Sequence, residues 1–173
     1  MSEARAKPLP ARGATRADRE SAVASDDKLE LKVWLRLLTC ANLIEGQVRN
    51  LLRENFATTL PRFDLLAQLD RAPEGLTMGE LSSRLMVTNG NVTALADALV
   101  REGLVLRQAH PSDRRSLCLR LSPEGKRVFD TMTPAHEGWI DLMMGELSRD
   151  ELARLLDLLG KLKRAARRNE RLT

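Results

Sequence analysis

Tyrosine is absent from this chain of 173 residues, and cysteine and histidine occur only twice each. Cys40 and Cys118 stand far apart without a CxxC partner, and His110 and His136 are not spaced as zinc ligands, so no structural metal site is expected. Catalytic arrangements are missing as well. No nucleophile–base pair and no glycine-rich phosphate loop can be assembled, which argues against an enzyme and leaves no cofactor to expect. Nor does any stretch approach the roughly 18 consecutive apolar residues that a membrane span requires. The N-terminal region lacks the apolar segment of a secretory signal, and Glu3, Asp18 and Glu20 argue against an organelle transit peptide. The expectation is a soluble cytoplasmic protein with no membrane partner.

What remains is ordinary for one globular domain with extensions: 43% hydrophobic and 30% charged residues. Lys and Arg exceed Asp and Glu by 28 to 24, for a net charge of +4. The resulting pI of about 9.5 suits a polyanionic partner without establishing one.

Residues 1–27 are rich in Ala, Arg, Ser, Pro and Asp and show no apolar periodicity, which predicts a disordered arm. From Lys28 to Arg53 apolar residues recur at helical spacing, predicting one long helix. A second helix follows Leu60-Pro61 and stops at Arg71-Ala72-Pro73-Glu74-Gly75. Thr77 and Glu80 form a capping box that opens a short helix. A tight turn over Val87–Asn91 leads to another helix, which buries Val92, Leu95, Leu99 and Val100 and closes at Gly103. Two short helices joined in this way make a helix-turn-helix.

After Gly103 the apolar period switches to two. Leu104 and Leu106, then Leu117, Leu119 and Leu121, predict two strands around a basic hairpin tip containing Asp113-Arg114-Arg115. Ser122 caps the next helix with Pro123 at its first position; Pro134 is expected to bend or break it. Ser148 and Glu151 open a last helix rich in leucine. The fold class is therefore mainly α: a winged helix-turn-helix lobe over 60–122 with a two-stranded β wing, flanked by helices over 28–53 and 123–171. Those flanking helices carry more apolar surface than so small a lobe covers, which marks them for association.

The run Gly103-Leu104-Val105, the motif Asp113-Arg114-Arg115-Ser116 and the stretch Leu119-Arg120-Leu121-Ser122-Pro123-Glu124-Gly125, in that order and spacing, resemble the multiple antibiotic resistance regulator (MarR) family. The likeness extends from about Trp34 to Leu162, within a MarR-type domain over 28–173. It implies a homodimer intertwined through the first and last helices, acting as a transcriptional repressor on a double-stranded DNA operator.

In such a protein the second helix of the motif enters the major groove. That assigns base contacts to Thr88, Asn89, Asn91 and Thr93, with cap and turn duty as the alternative for the asparagines and Thr88. Ser82, Ser83 and Arg84 are expected at phosphates. The resemblance makes Arg115 the minor-groove finger, Asp113 its orienting partner and Arg114 a further contact. Where many relatives carry an Arg early in this helix, the chain has Ala94 and Ala96, followed by Asp97. More phosphate attraction must then fall on the wing, Arg84, Arg101, Lys126 and Arg127.

The resemblance also implies a small aromatic or acidic effector between the flanking helices and the lobe. Trp34, Arg36, Leu38 and Cys40, with Arg62, Phe63 and Leu66, are its candidate walls. Trp34 and Phe63 are placed to stack on a ring, and Arg36 or Arg62 to pair with a carboxylate or phosphate. The segments around Trp34–Cys40 and Leu60–Leu69 are similar to regulators of hydroxycinnamate catabolism, which respond to aromatic acyl-coenzyme A thioesters. Two alternatives stand beside this: a redox sensor using Cys40, disfavoured if that thiol is buried among leucines, and a DNA binder with no effector.

Overall fold

The computed structural model describes residues 28–86, 89–109 and 117–169. The N-terminal arm and the wing tip with Asp113, Arg114 and Arg115 lie outside them, as does Thr88; Asn89 is described by its backbone alone. Six helices and three strands follow in order: α1 Leu29–Phe56, α2 Leu60–Asp70, β1 Leu76–Thr77, α3 Met78–Leu85, α4 Asn89–Arg101, β2 Val105–Ala109, β3 Leu117–Leu121, α5 Pro123–Met144 and α6 Arg149–Asn169. They divide into two compact units, the first ending at His136 and the second beginning at Glu137, so α5 contributes to both.

In the first unit the core collects Leu52 from α1, Leu65, Leu66 and Leu69 from α2, Leu81 from α3, Val92, Ala96 and Leu99 from α4, and Val105 and Leu119 from the strands. The helical members lie at helical spacing, but the strands depart from the expected alternation. Val105 and the adjacent Cys118 and Leu119 are buried while Leu106 and Leu117 are exposed. Burial of this core is the dominant favourable term. Loop chemistry sets the angles between elements. Ala57 takes a left-handed conformation (φ 49°) and ends α1, its N–H bonding the Arg53 carbonyl. Gly103 (φ 75°) ends the α4 segment, where a left-handed residue was expected.

The wing sheet has three strands, not two, in the order β1-β3-β2, all antiparallel. Leu76 pairs with Leu119 and Thr77 with Cys118. A strand of two residues shows no alternation, so its pattern is invisible to periodicity. Pro134, expected to bend or break α5, lies inside a continuous helix and so does not break it. The hydroxyls of Thr131 and Thr133 bond the Val128 and Phe129 carbonyls just before it, at 2.7 and 3.0 Å. In the second unit Trp139 is buried, and Ser148 and Glu151 form the expected capping box of α6. Leu155, Leu156, Leu158, Leu159 and Leu162 of α6 stay exposed in the single chain.

Candidate nucleic-acid interface and an adjoining cleft

The helix-turn-helix is built from local signals. The Thr77 side chain accepts from the Glu80 N–H while the Glu80 carboxylate accepts from the Thr77 N–H at 2.8 Å, fixing the start of α3. Met86, left-handed at φ 55°, turns the chain out of α3. The helix α4 begins at Asn89, earlier than the tight turn predicts, and buries Val92, Ala96 and Leu99 at helical spacing. This rotation leaves Asn91, Thr93 and Ala94 exposed on one side. Ser83 and Arg84 of α3 are exposed too, but Ser82 is buried, which corrects its expected place at a phosphate. The two alanines on α4 differ in kind. Ala96 has no exposed surface and must be small, whereas Ala94 is open.

Asp97, the acid on this helix, is neutralised. Arg107 of β2 places Nη2 at 2.6 Å from its carboxylate and ties strand to helix. Sequence reading passed over Arg107, whose partner lies ten residues away on a different element. Two further residues expected to attract phosphates are also ion-paired within the chain. Lys126 lies 2.9 Å from the Asp70 carboxylate and 2.6 Å from that of Asp130, and Arg127 pairs with Glu124. Hydrogen bonds to Asp130 and then Asp70 raise the Lys126 pKa above its ordinary value.

In the same unit lies a cleft of about 230 Å³, walled by Phe56 of α1, Arg62 and Leu66 of α2, Leu104, and Val128 and Met132 of α5. Arg62 is its cation. Its Nη1 donates to Glu102 Oε1 at 2.8 Å, and its Nη2 to Oε2. The Glu102 hydrogen bond raises the Arg62 pKa, and the same bond holds Glu102 below the usual glutamate range.

The predicted effector residues are thus split. Arg62 and Leu66 line the cleft. Phe63 is core: it is buried, its ring 4.5 Å from that of His136 and 5.4 Å from that of Phe129. Trp34, Arg36, Leu38 and Cys40 are not among the lining residues; Leu38 is half-buried and the other three are exposed on α1. Cys40 therefore does not sit buried among leucines, a correction to that expectation. Helical periodicity marks an apolar face but not whether its own chain covers it.

Residues 58–117 match the model of the MarR family. The HTH-type transcriptional repressor YetL of Bacillus subtilis is 33% identical over 98 residues, 57% of this chain and 59% of that protein, so the match spans less than two thirds of that relative's length. The transcriptional activatory protein BadR of Rhodopseudomonas palustris is 27% identical over 144 residues, 80% of this chain and 82% of that one. Among solved structures, a MarR family transcriptional regulator from Silicibacter pomeroyi superposes with a TM-score of 0.69 at 29% identity, covering 82% of this chain and 99% of the other. Two more share the fold at lower identity. Sco3205 of Streptomyces coelicolor, solved in complex with DNA, gives a TM-score of 0.70 at 23% identity over 79% and 86% of the two chains. CouR of Rhodococcus jostii, solved bound to p-coumaroyl-CoA, gives 0.68 at 19% over 75% and 90%. Over residues 58–117 the chain carries the MarR family domain, and its fold is that of MarR family winged-helix transcriptional regulators.

Proposed function

We propose that the chain is a sequence-specific DNA-binding repressor, acting as a homodimer on a pseudo-palindromic operator and released by a small aromatic effector. The observation that carries the DNA reading is the orientation of α4. Burial of Val92, Ala96 and Leu99 turns Asn91 and Thr93 outward, and Ser83 and Arg84 of α3 are exposed as well. Asparagine offers the donor and acceptor that adenine matches in the major groove, and threonine a hydroxyl and a methyl. Neutralisation of Asp97 by Arg107 removes the like charge that would repel phosphates. The Sco3205 complex supports the same use of the fold. Cytoplasmic location follows from a DNA partner, and no described helix is long and apolar enough to cross a membrane.

Dimerisation is supported within each unit separately. Leu31, Val33, Trp34 and Leu43 of α1 and the five leucines of α6 are exposed in the single chain, more apolar surface than isolated exposed residues account for. The effector reading rests on the cleft with one cation, and on the thioester held by CouR in the same fold.

Selection of bound duplexes from a random library, followed by footprinting, tests the function. Half-site centres about 10 base pairs apart are expected for a two-fold dimer. Asn91→Ala is expected to relax base preference at a cost of about 1–3 kcal/mol on the selected site. Arg115→Ala is expected to weaken all duplexes and lower the salt slope by about one. No preference among duplexes, or equal losses for both variants on every sequence, would overturn the assignment.

A further inference from the structure

We propose that the C-terminal end of α6 is a second DNA-binding surface, one that holds the phosphates of any duplex without reading bases. The charge balance of the chain points there. Lys163, Arg164, Arg167 and Arg168 follow closely on one another, and all four are exposed on α6. Of the 28 Lys and Arg in the chain, the other 24 are matched by 24 Asp and Glu, so these four carry its whole net charge of +4. The winged lobe over 60–122 is nearly neutral by comparison, with eight arginines against seven acids. Earlier along α6 the signs are mixed and cancel, three of each from Arg149 to Lys161, where Lys161 pairs with Asp157 at 2.8 Å. No acid follows from Leu162 to Asn169, and none of the four cations is ion-paired to a described residue.

Folding does not account for the cluster. Cations in the last turn favour the negative end of the helix dipole, which explains Arg167 and Arg168. Lys163 and Arg164 stand a turn earlier, where they repel those two at i,i+4 spacing. A polyanion relieves that repulsion, and a duplex gains further by releasing its condensed counterions. At about 100° per residue the four cations fall opposite Leu155, Leu158, Leu159 and Leu162 on the helix. A second copy of the chain seated on those leucines therefore leaves the cations open. Helix α6 carries no aromatic residue, so it lacks the side chains that stack on single-stranded bases and those that anchor a helix in a lipid interface. What it offers is charge alone, which matches a duplex backbone and carries no sequence information. The inference rests on the reading of the chain as a DNA binder, and it adds the sequence-independent attraction that a nearly neutral lobe supplies only weakly.

The test is fluorescence anisotropy of the full chain with a labelled duplex of arbitrary sequence, titrated at several salt concentrations. Lys163→Gln, Arg164→Gln, Arg167→Gln and Arg168→Gln together are expected to weaken binding at low salt roughly tenfold or more, and to lower the salt slope by about three to four for each chain engaged. Arg164→Lys, Arg167→Lys and Arg168→Lys together keep the charge, and that protein is expected to bind like wild type. Base preference on the selected operator should survive in both variants, which also shows that the lobe is folded. An unchanged slope in the glutamine variant, or a lysine variant that loses as much as the glutamine one, would overturn the surface. So would binding of wild type to anionic phospholipid vesicles that the glutamine variant loses while its duplex binding stays intact. A failed duplex selection with the slope change present would strike the operator reading and spare this surface; the reverse outcome would strike this surface alone.

Discussion

A side chain at position 125 would place its Cβ 1.9 Å from the carbonyl oxygen of Leu104, so the helix α5 starts in direct backbone contact with the segment that leaves α4. Ser122 locks the same contact. Its N–H donates to the Leu104 carbonyl at 3.0 Å, its hydroxyl donates to that of Gly103 at 2.6 Å, and the hydroxyl oxygen accepts from the Gly125 N–H at 2.8 Å. The Leu-Ser-Pro-Glu-Gly run is thus a joint between wing and helix. Gly125→Ala is expected to destabilise the protein by roughly 3 kcal/mol, since backbone and not a flexible side chain must yield. Gly79→Ala, on exposed α3 with nothing within 4 Å of its Cβ, is the control, and should stabilise by about 0.5–1 kcal/mol. Urea unfolding of the two variants decides: a Gly125→Ala protein as stable as wild type would contradict the joint.

The parts of this fold that sequence reading recovers are those whose signals are local. Thr77 with Glu80, Ser148 with Glu151, Ser122 with Gly125, and Gly103 each act within three or four residues. Pairings across elements leave no such trace. Arg62 and Glu102 are forty residues apart, and nothing in either neighbourhood names the other. The cleft was therefore only half visible: Arg62 and Leu66 stood out as an arginine and an apolar position on α2. Phe63 carries the same apolar signal, yet it stacks on His136, packs tilted against Phe129 and is buried as core. Cys40 failed for a different reason, because an apolar face that awaits a partner has the same pattern as one already covered.

Asp64 gives a pH prediction. Burial first, and repulsion from Glu45 second, raise its pKa above the ordinary 3.8, with Arg71 opposing. A folded pKa above the unfolded one means that Asp64 supports the fold fully only below about 3.8, and that this support is lost as pH rises through the folded value. Asp64→Asn should therefore raise the urea midpoint at neutral pH, with the advantage shrinking as pH falls towards 3.8. A gap that is constant with pH, or that widens in acid, would show that the asparagine acts through packing instead.

The Asp97–Arg107 pair is partly exposed, at 47% and 39% of the side chains, so its contribution to stability should be small. A double-mutant cycle is expected to give about 0.2–1 kcal/mol of coupling, diminishing in roughly 1 M salt. Its effect on DNA should be larger than its effect on folding. Asp97→Asn leaves the Arg107 charge uncompensated beside α4, and should tighten binding to arbitrary duplexes with a salt slope steeper by about one. An unchanged slope would place the pair away from the phosphates.

The two thiols differ in what the chain gives them. Cys118 is 1% exposed, its sulfur 3.9 Å from the carbonyl oxygens of Glu74 and Ala109, whereas Cys40 is exposed on α1. A thiol reagent added to the native protein should label Cys40 and leave Cys118 unmodified until denaturant is added, with Cys40→Ser abolishing the native reaction. Accessibility is necessary for redox control but not sufficient, because the thiolate and not the thiol reacts. Peroxide sensing makes the stricter demand that oxidation at Cys40 alone release DNA. With a small aromatic ligand as the effector, mild peroxide should leave duplex binding by wild type and Cys40→Ser alike. Loss of binding in wild type, spared in the serine variant, would establish the thiol as the sensor. Failure of Cys40 to label at all in the native protein would instead place α1 inside the dimer interface.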